Sequence, residues 1–194
     1  MNWETYLALG DSITIGARSY SGYPELTGRL LEQRLAKQWN VINHSVSGFK
    51  AIDLARYIDL HFSTLKAHQA SISTILIGTN DIKENTDPDD FKMALNLVVL
   101  KAKLLTVNSN VVLLSIPEFQ NGIMYPYAIS MNAQVTAFNQ IIAQMAEHHS
   151  IRLLKLEYEA SHFFDGVHLN RAGNDHFAEQ ICRFMLNDKE APND

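Results

Sequence analysis

Five short runs rich in Val, Ile and Leu recur along the chain, and each is followed by a longer segment in which apolar residues return at helical spacing. Strands that are buried on both faces lose the alternation of polar and apolar residues seen in half-exposed strands. The runs therefore predict strands at 6–9, 41–45, 74–77, 111–116 and 151–156. The segments between and after them predict helices at 24–38, 51–68, 88–107, 131–149 and 172–186.

This alternation predicts a three-layer α/β/α sandwich built on a five-stranded parallel sheet, because parallel strands need crossover helices that cover both faces. The chain of 194 residues is long enough to bury a full core, and no repeat or Gly/Ser-rich linker divides it. We therefore expect one domain over 1–194. Asp87 before Pro88, and Asn170 before the last segment, are typical residues for helix starts.

Charge and cysteine content exclude several classes of protein. The chain has 21 acidic and 16 basic side chains, a net charge of −5, and no basic run that would follow a phosphate backbone, so we expect no nucleic-acid partner. Its single cysteine, Cys182, excludes an internal disulfide and a Cys-based zinc knuckle. No stretch approaches the roughly 20 apolar residues of a membrane span. Since the sequence as numbered has no signal peptide, we expect a cytoplasmic protein unless a leader has been removed.

Small or polar residues follow four of the predicted strands near the point where each strand ends. Ser12 comes after the first strand, Gly48 after the second and Asn80 after the third. Asp165 and His168 come after the fifth. Ligands of open α/β sheets bind beyond the carboxyl ends of the strands. We therefore expect these five residues to lie at one edge of the sheet.

These residue types match the needs of acyl transfer. A serine hydroxyl is a weak nucleophile until a base takes its proton, and the base needs a third group to fix its tautomer and orientation. Ser12, His168 and Asp165 can fill these three roles. Gly48 can bring its N–H close to an oxyanion because it has no side chain, and the Asn80 amide offers a fixed donor.

Each candidate also has a plain structural interpretation. Ser12 can cap a helical turn after the first strand without doing chemistry. Gly48 can be an ordinary loop glycine, and Asn80 an ordinary turn residue. Asp165 can be a turn carboxylate before Gly166, although its spacing from His168 lets a short bend bring it to the imidazole. Only the combination of the candidates favours a catalytic site.

Two other kinds of site are alternatives. His162, Asp165 and His168 are possible metal ligands, but no typical ligand spacing supports them, and we predict no metal and no cofactor. A non-catalytic flavodoxin-like module would bind a phosphate or FMN through Ser12 and Thr14 at the end of the first strand. That interpretation leaves Asp165 and His168 unexplained.

Taken together, the four blocks resemble the GDSL-type, or SGNH, hydrolases, a family of esterases and lipases. The blocks stand in the family's order as Gly10-Asp11-Ser12-Ile13, Gly48, Gly78-Thr79-Asn80-Asp81 and Asp165-Gly166-Val167-His168. The resemblance implies a flavodoxin-like sandwich with Ser12 as nucleophile, His168 as base and then acid, and Asp165 as the orienting carboxylate. It also implies an oxyanion hole formed by the N–H groups of Ser12 and Gly48 and the Asn80 side chain. The implied activity is hydrolysis of esters or thioesters through an acyl-enzyme on Ser12.

The longest irregular connection, 117–130, follows the fourth strand and lies at the same edge as these residues. Long loops are often functional. The candidates for an acyl pocket are its apolar members Phe119, Met124, Tyr125 and Tyr127. Because the chain has no lid-sized insertion, we expect a small-molecule ester with a small to medium acyl group. An acyl-CoA-type thioesterase is the nearest alternative, and the sequence leaves the oligomeric state open.

Overall fold

The computed structural model describes residues 3–187. Its strands are β1 (Glu4–Gly10), β2 (Trp39–Ser45), β3 (Ile72–Leu76), β4 (Val111–Leu114) and β5 (Arg152–Leu154). Its α-helices are α1 (Ser12–Ile15), α2 (Tyr23–Leu35), α3 (Ala51–Leu60), α4 (Phe62–Ala67), α5 (Thr79–Lys83), α6 (Pro88–Leu105), α7 (Asn132–His148) and α8 (Arg171–Asn187). None of these helices is long and apolar enough to span a membrane.

The five strands form one sheet in the order β2-β1-β3-β4-β5, and every neighbouring pair is parallel. Helices α2 and α8 pack on one face, and α3, α6 and α7 pack on the other. The predicted three-layer sandwich with a five-stranded parallel sheet is confirmed. Strand order reverses between β1 and β3, which is the point where flavodoxin-like sheets bind their ligands.

Successive side chains of the strands enter two different cores. In β1, Leu7 and Leu9 pack with α3 and α6, whereas Tyr6 and Ala8 pack with α2 and α8. All four side chains are fully buried. Because neighbouring residues of a strand point to opposite faces, a strand buried on both sides has no alternation of polar and apolar residues. Burying a single Leu stabilises the fold by about 1.5–3 kcal/mol, so the two cores hold the sheet firmly.

The long helix predicted over 51–68 is wrong, since this segment forms two helices. Helix α3 ends at Leu60 and α4 begins at Phe62, because His61 between them leaves helical geometry with φ −108° and ψ 14°. Neither Gly nor Pro marks the break, so the sequence carries no signal for it. The predicted caps are confirmed: Asp87 Oδ1 accepts the Asp89 N–H at 2.8 Å, and Asn170 Oδ1 accepts the Gly173 N–H at 3.0 Å.

Two short helices, α1 and α5, are absent from the sequence prediction. They contain four and five residues, too few to display a helical period. Helix α1 begins two residues after the last residue of β1, and α5 begins three residues after the last residue of β3. The first N–H groups of a helix have no acceptor within it. Both helices therefore place the N–H groups of their first turn at the carboxyl edge of the sheet.

Candidate active site

Ser12 is the first residue of α1, directly beyond the carboxyl end of β1. The Asp11 carboxylate caps this helix by accepting the Ile13 N–H at 3.0 Å. The strand before it needs glycine, because a Cβ on Gly10 would lie 2.5 Å from the Leu76 carbonyl oxygen of the neighbouring strand. This turn fixes Ser12, whose exposed fraction is only 6%.

Asp165 and His168 share a tight turn that follows β5. Asp165 Oδ1 accepts the backbone N–H groups of Val167 at 3.1 Å and of His168 at 2.8 Å. Its Oδ2 lies 2.9 Å from His168 Nδ1. Burial raises the pKa of the Asp165 carboxyl, but these hydrogen bonds outweigh burial and hold the pKa below its usual range. The carboxylate therefore stays ionised beside the imidazole.

Ser12 and His168 meet although 156 positions separate them in the sequence. Ser12 Oγ lies 3.0 Å from His168 Nε2. An imidazole that donates its Nδ1 hydrogen to a carboxylate keeps a lone pair on Nε2, where it can accept a hydroxyl proton. This arrangement can move a proton from Ser12 Oγ to the ring while Asp165 compensates the charge that forms.

Gly48 and Asn80 lie at the same edge, after β2 and β3. Gly48 has φ +83°, in the left-handed region that favours glycine, and no atom lies within 4 Å of the place where a Cβ would stand. Asn80 Nδ2 donates to the Phe49 carbonyl oxygen at 3.0 Å and lies 3.4 Å from Asp11 Oδ2. One amide hydrogen is thus held by Phe49, whereas the second makes only a long contact.

Two buried carboxyl groups, Asp11 and Asp81, support these turns, a role that the sequence analysis did not identify. Burial raises the pKa of Asp11 to about 7, and the neighbouring charge of Asp81 adds to the rise. Asp81 Oδ2 accepts the Ala51 N–H at 2.9 Å and so ties α5 to the start of α3. Burial raises its pKa to about 6. Both residues stand in recognisable blocks, but an aspartate gives no sequence signal that it will be buried.

Arg18 is a further residue that the sequence analysis missed. Its Nη1 donates to Asp165 Oδ2 at 3.1 Å, and its guanidinium carbon lies 5.6 Å from the centre of the Phe164 ring. A lone arginine in the loop after α1 carries no sequence signal for a contact 147 positions away. Only the fold brings the two together.

The loop at 117–130 brings one of its four candidates to the site. The Tyr127 hydroxyl donates to Asn80 Oδ1 at 3.4 Å, and burial raises the pKa of Tyr127 to about 12. The Phe119 ring lies 5.2 Å from the Tyr127 ring and is 3% exposed, so it is a core residue that supports the tyrosine. Met124 and Tyr125 are 70% and 96% exposed, and their side chains lie on the surface.

His162 does not join Asp165 and His168 in a ligand set. Its Nδ1 accepts the Glu159 N–H at 3.1 Å, and its ring centre lies 4.5 Å from that of His176. Within the part of the chain that the structure describes, no three His, Cys, Asp or Glu side chains converge as metal ligands would.

Several solved structures share the fold of this chain. The acetyl xylan esterase AlAXEase has a TM-score of 0.76 and 21% identity, covering 93% of this chain and 98% of its own. The acetylxylan esterase Axe2 from Geobacillus stearothermophilus has a TM-score of 0.70 and 20% identity, with 97% and 95% covered. LAE5, an alpha/beta hydrolase from the metagenome of Lake Arreo, Spain, has a TM-score of 0.72 and 20% identity, with 98% and 97% covered. At such identities the likeness shows the fold alone.

The sequence matches one family over most of its length, although no curated protein sequence matches it. The profile of the GDSL-like lipase/acylhydrolase family covers residues 8–176, from β1 into α8. That span contains Ser12, Gly48, Asn80, Asp165 and His168. The match therefore favours an enzyme over a non-catalytic phosphate-binding or FMN-binding module. The chain belongs to the GDSL-like lipase/acylhydrolase family, and it is an ester-hydrolysing enzyme.

Proposed function

We propose that this enzyme is a serine esterase that hydrolyses carboxylic esters with small to medium acyl groups through an acyl-enzyme on Ser12. One observation carries the proposal. Ser12 Oγ lies 3.0 Å from His168 Nε2, and His168 Nδ1 lies 2.9 Å from Asp165 Oδ2. A nucleophile within hydrogen-bond reach of a base that a third group orients is the arrangement that covalent acyl transfer needs.

In the first half of the reaction, His168 Nε2 takes the proton from Ser12 Oγ as the oxygen attacks the ester carbonyl carbon. The carbonyl π bond opens and leaves an oxyanion on a tetrahedral carbon. His168 then gives the proton to the leaving alkoxide as its bond to carbon breaks. An alcohol departs, and the acyl group stays on Ser12. Asp165 stays ionised throughout and stabilises the imidazolium, which is consistent with its lowered pKa.

In the second half, a water molecule replaces the alcohol. His168 Nε2 takes a proton from the water as its oxygen attacks the acyl carbon and a second oxyanion forms. The carbonyl then re-forms, the bond between the carbon and Ser12 Oγ breaks, and His168 returns the proton to Oγ. The products are a carboxylic acid and the free enzyme. The two halves use the same groups in the same positions, so one preorganised site serves both.

The oxyanion needs donors that are already in place, since removing a single one typically costs about 100-fold to 1000-fold in kcat. We assign this role to the N–H groups of Ser12 and Gly48 and to Asn80 Nδ2. The Ser12 N–H is at the start of α1, and the space over the Gly48 backbone is open. The second hydrogen of the Asn80 amide makes only the long Asp11 contact at 3.4 Å, so we assign this hydrogen to the substrate oxygen.

The acyl group that best fits the site is short. Tyr127 places its hydroxyl 3.4 Å from Asn80 Oδ1 and so occupies volume beside a proposed oxyanion donor, where a long acyl chain would need room. The Phe119 ring lies 5.2 Å from the Tyr127 ring and limits the movement of the tyrosine side chain. Two of the structural neighbours are named as acetyl xylan esterases, which agrees with a small acyl group. We therefore place Tyr127, supported by Phe119, at the acyl side.

The test of the mechanism is covalent labelling. A fluorophosphonate should add one phosphonyl group per chain, mass spectrometry should locate it on Ser12, and hydrolysis of p-nitrophenyl acetate should stop in proportion to labelling. The Ser12→Ala variant should neither label nor hydrolyse the ester. Retained activity in purified Ser12→Ala, or labelling at another serine, would refute the proposal.

The acyl preference needs a separate measurement. Across p-nitrophenyl esters of increasing chain length, kcat/KM should be highest for short chains and should fall for long ones, because Tyr127 limits the space. Tyr127→Ala should move the optimum to longer chains. An optimum at long chains in the wild type would contradict the size argument but not the acyl-enzyme. Acetyl-CoA tested on the same preparation distinguishes an ester preference from a thioester preference.

A further inference from the structure

The loop after α1 returns towards the candidate triad and is fastened to the nucleophile helix. The Ala17 N–H donates to the Ser12 carbonyl at 3.0 Å, and the Ser19 N–H donates to the Gly16 carbonyl at 2.9 Å. Between them, Arg18 has φ +65°, in the left-handed region that residues with a side chain rarely adopt. Such a backbone persists only where surrounding contacts hold it, and it clusters at functional sites.

The Arg18 side chain makes its contacts with the turn that carries Asp165. Its Nη1 donates to Asp165 Oδ2 at 3.1 Å. Its guanidinium carbon lies 5.6 Å from the ring centre of Phe164, the residue before Asp165. An arginine can donate to a carboxylate and lie over an aromatic ring at the same time, because its guanidinium is planar. Arg18 therefore binds two consecutive residues of the turn that carries Asp165.

The hydrogen bonds of Asp165 show what Arg18 adds. Oδ1 accepts two backbone N–H groups, and Oδ2 accepts both His168 Nδ1 and Arg18 Nη1. A closed ring of contacts results, from Ser12 to His168, to Asp165, to Arg18 and back through the loop to Ser12. A ring fixes its members better than an open chain does, because no link can move without straining the others.

We propose that Arg18 is a positioning residue that holds the Asp165–His168 turn at the distance from Ser12 that proton transfer needs; this inference rests on the proposed function. The Arg18 side chain is 57% exposed, and an ion pair in water contributes little to stability. Its effect therefore lies in the geometry of the base. Since Arg18 acts through Asp165, its loss should lower kcat and leave KM nearly unchanged.

The kinetic test compares Arg18→Met, Arg18→Lys and the control Arg29→Met, which removes an exposed arginine from α2. With p-nitrophenyl acetate, Arg18→Met should lower kcat by about threefold to tenfold, the range expected for a partly exposed ion pair with a cation–π contact. Lysine should restore part of the loss, and Arg29→Met should match the wild type. A rise in KM with unchanged kcat would overturn the proposal.

A double-mutant cycle tests whether Arg18 acts through Asp165. In an Asp165→Ala background, the further change Arg18→Met should have no additional effect on kcat, because the group that it positions is gone. A merely structural role would lower kcat by the same factor in both backgrounds. Equal losses would therefore contradict the positioning role.

A last measurement does not depend on turnover. In the Ser12→Ala protein, the proton on His168 Nδ1 can be followed by NMR with 15N-labelled histidine. Its resonance should move or broaden on Arg18→Met and stay in place on Arg29→Met, since Arg18 shares Asp165 Oδ2 with that proton. An unchanged resonance would overturn the inference about Arg18. An inactive wild type would instead refute the proposed function, so the two failures are distinguishable.

Discussion

The two edges of the sheet use polar side chains in opposite ways. At the carboxyl edge, Ser12, His168 and Asp165 form a line of contacts that begins at a hydroxyl and ends at a carboxylate. At the amino edge, the strand starts surround a cavity of about 580 Å³. Its lining includes Glu4, Trp39, Ser71, Asn110 and Arg152.

The polar groups of the amino edge are bonded to one another across the strands. Glu4 pairs with Lys37 and accepts a hydrogen bond from the Ser71 hydroxyl. Arg152 Nη2 donates to Asn110 Oδ1 at 2.8 Å, and Asn110 Nδ2 donates to the Ser71 carbonyl at 3.2 Å. These bonds join the beginnings of four strands and so stabilise the sheet.

The two edges differ in the chemistry of their polar contacts, and this difference identifies the candidate site. Parallel strands carry their ligand-binding residues beyond their carboxyl ends, where the short helices α1 and α5 begin. At the amino edge the Ser71 hydroxyl donates to Glu4 within a network that joins strand starts, whereas at the carboxyl edge Ser12 Oγ lies 3.0 Å from an imidazole that a carboxylate orients. Matched substitutions at the two edges can therefore separate effects on catalysis from effects on stability.

The largest expected contrast is between two serines. Ser12→Ala should lower kcat by about 10⁶-fold, as the loss of a triad serine does elsewhere, and should leave the free energy of unfolding within about 1 kcal/mol. Ser71→Ala should leave the kinetics unchanged and cost about 1–2 kcal/mol, because Glu4 loses one of its contacts and the Thr5 N–H loses its hydrogen bond to the Ser71 hydroxyl. Ester hydrolysis and urea unfolding of both variants check this. A Ser71→Ala enzyme that is stable but inactive would show that the amino edge takes part in catalysis and would contradict this assignment.

Two carboxylates give the next contrast. Asp165→Ala should lower kcat by about 10³-fold to 10⁴-fold, less than Ser12→Ala, because triad members contribute unequally. Glu4→Ala should leave kcat unchanged and lower the unfolding free energy by about 1–2 kcal/mol through the lost contacts with Lys37 and Ser71. Steady-state kinetics and thermal unfolding measure the two effects. Similar kcat values for both variants would argue against the role of Asp165.

Two asparagines give a smaller contrast. Asn80→Ala should lower kcat by about 100-fold to 1000-fold with little change in KM, because the amide is assigned to the oxyanion of the transition state. Asn110→Ala should leave kcat unchanged, since its amide joins Ser71 to Arg152 far from that oxyanion. The kcat of each variant with p-nitrophenyl acetate decides the matter. Full activity in Asn80→Ala would remove it from the oxyanion hole.

The sequence predicts the fold well because the signal is repeated along the chain. Most strands are rich in apolar residues, and the alternation with helices is regular, so small errors at the ends of elements do not change the architecture. The break at His61 escapes prediction because apolar spacing continues through it without Gly or Pro. Short helices escape because four or five residues cannot display a period.

The site is predictable only where a residue type and its place after a strand agree. Ser12, Asn80 and His168 satisfy both conditions, and the structure brings them to one edge. Arg18 satisfies neither, since its contact with Asp165 depends on how two loops fold. Loop residues are equally hard to rank: of the four candidates in 117–130, one contacts Asn80, and nothing in their types distinguishes it from the others.

The smallest expected effect is a pH dependence of the unfolding free energy, which arises from the buried carboxyl groups at the carboxyl edge. The pKa of Asp11 is about 7 and that of Asp81 about 6, above the value of about 3.9 for an unfolded aspartate, so the folded protein binds more protons between these values. Their contribution to stability is complete below about pH 4 and is lost as the pH rises through 6 and 7. Asp165, with its lowered pKa, has the opposite sign and loses its contribution only in acid.

Urea unfolding from pH 5 to pH 8 should therefore show a declining free energy, with a slope of at most about 1.4 kcal/mol per pH unit for each group. Asp11→Asn should flatten this decline, because the side chain can no longer ionise in the folded state. Asp90→Asn, an exposed aspartate in the first turn of α6, should leave the slope as it is. If Asp11→Asn keeps the wild-type slope, then the Asp11 carboxyl is not the source of the pH dependence of the unfolding free energy. Burial of this acid beside Ser12 would then not destabilise the protein at neutral pH.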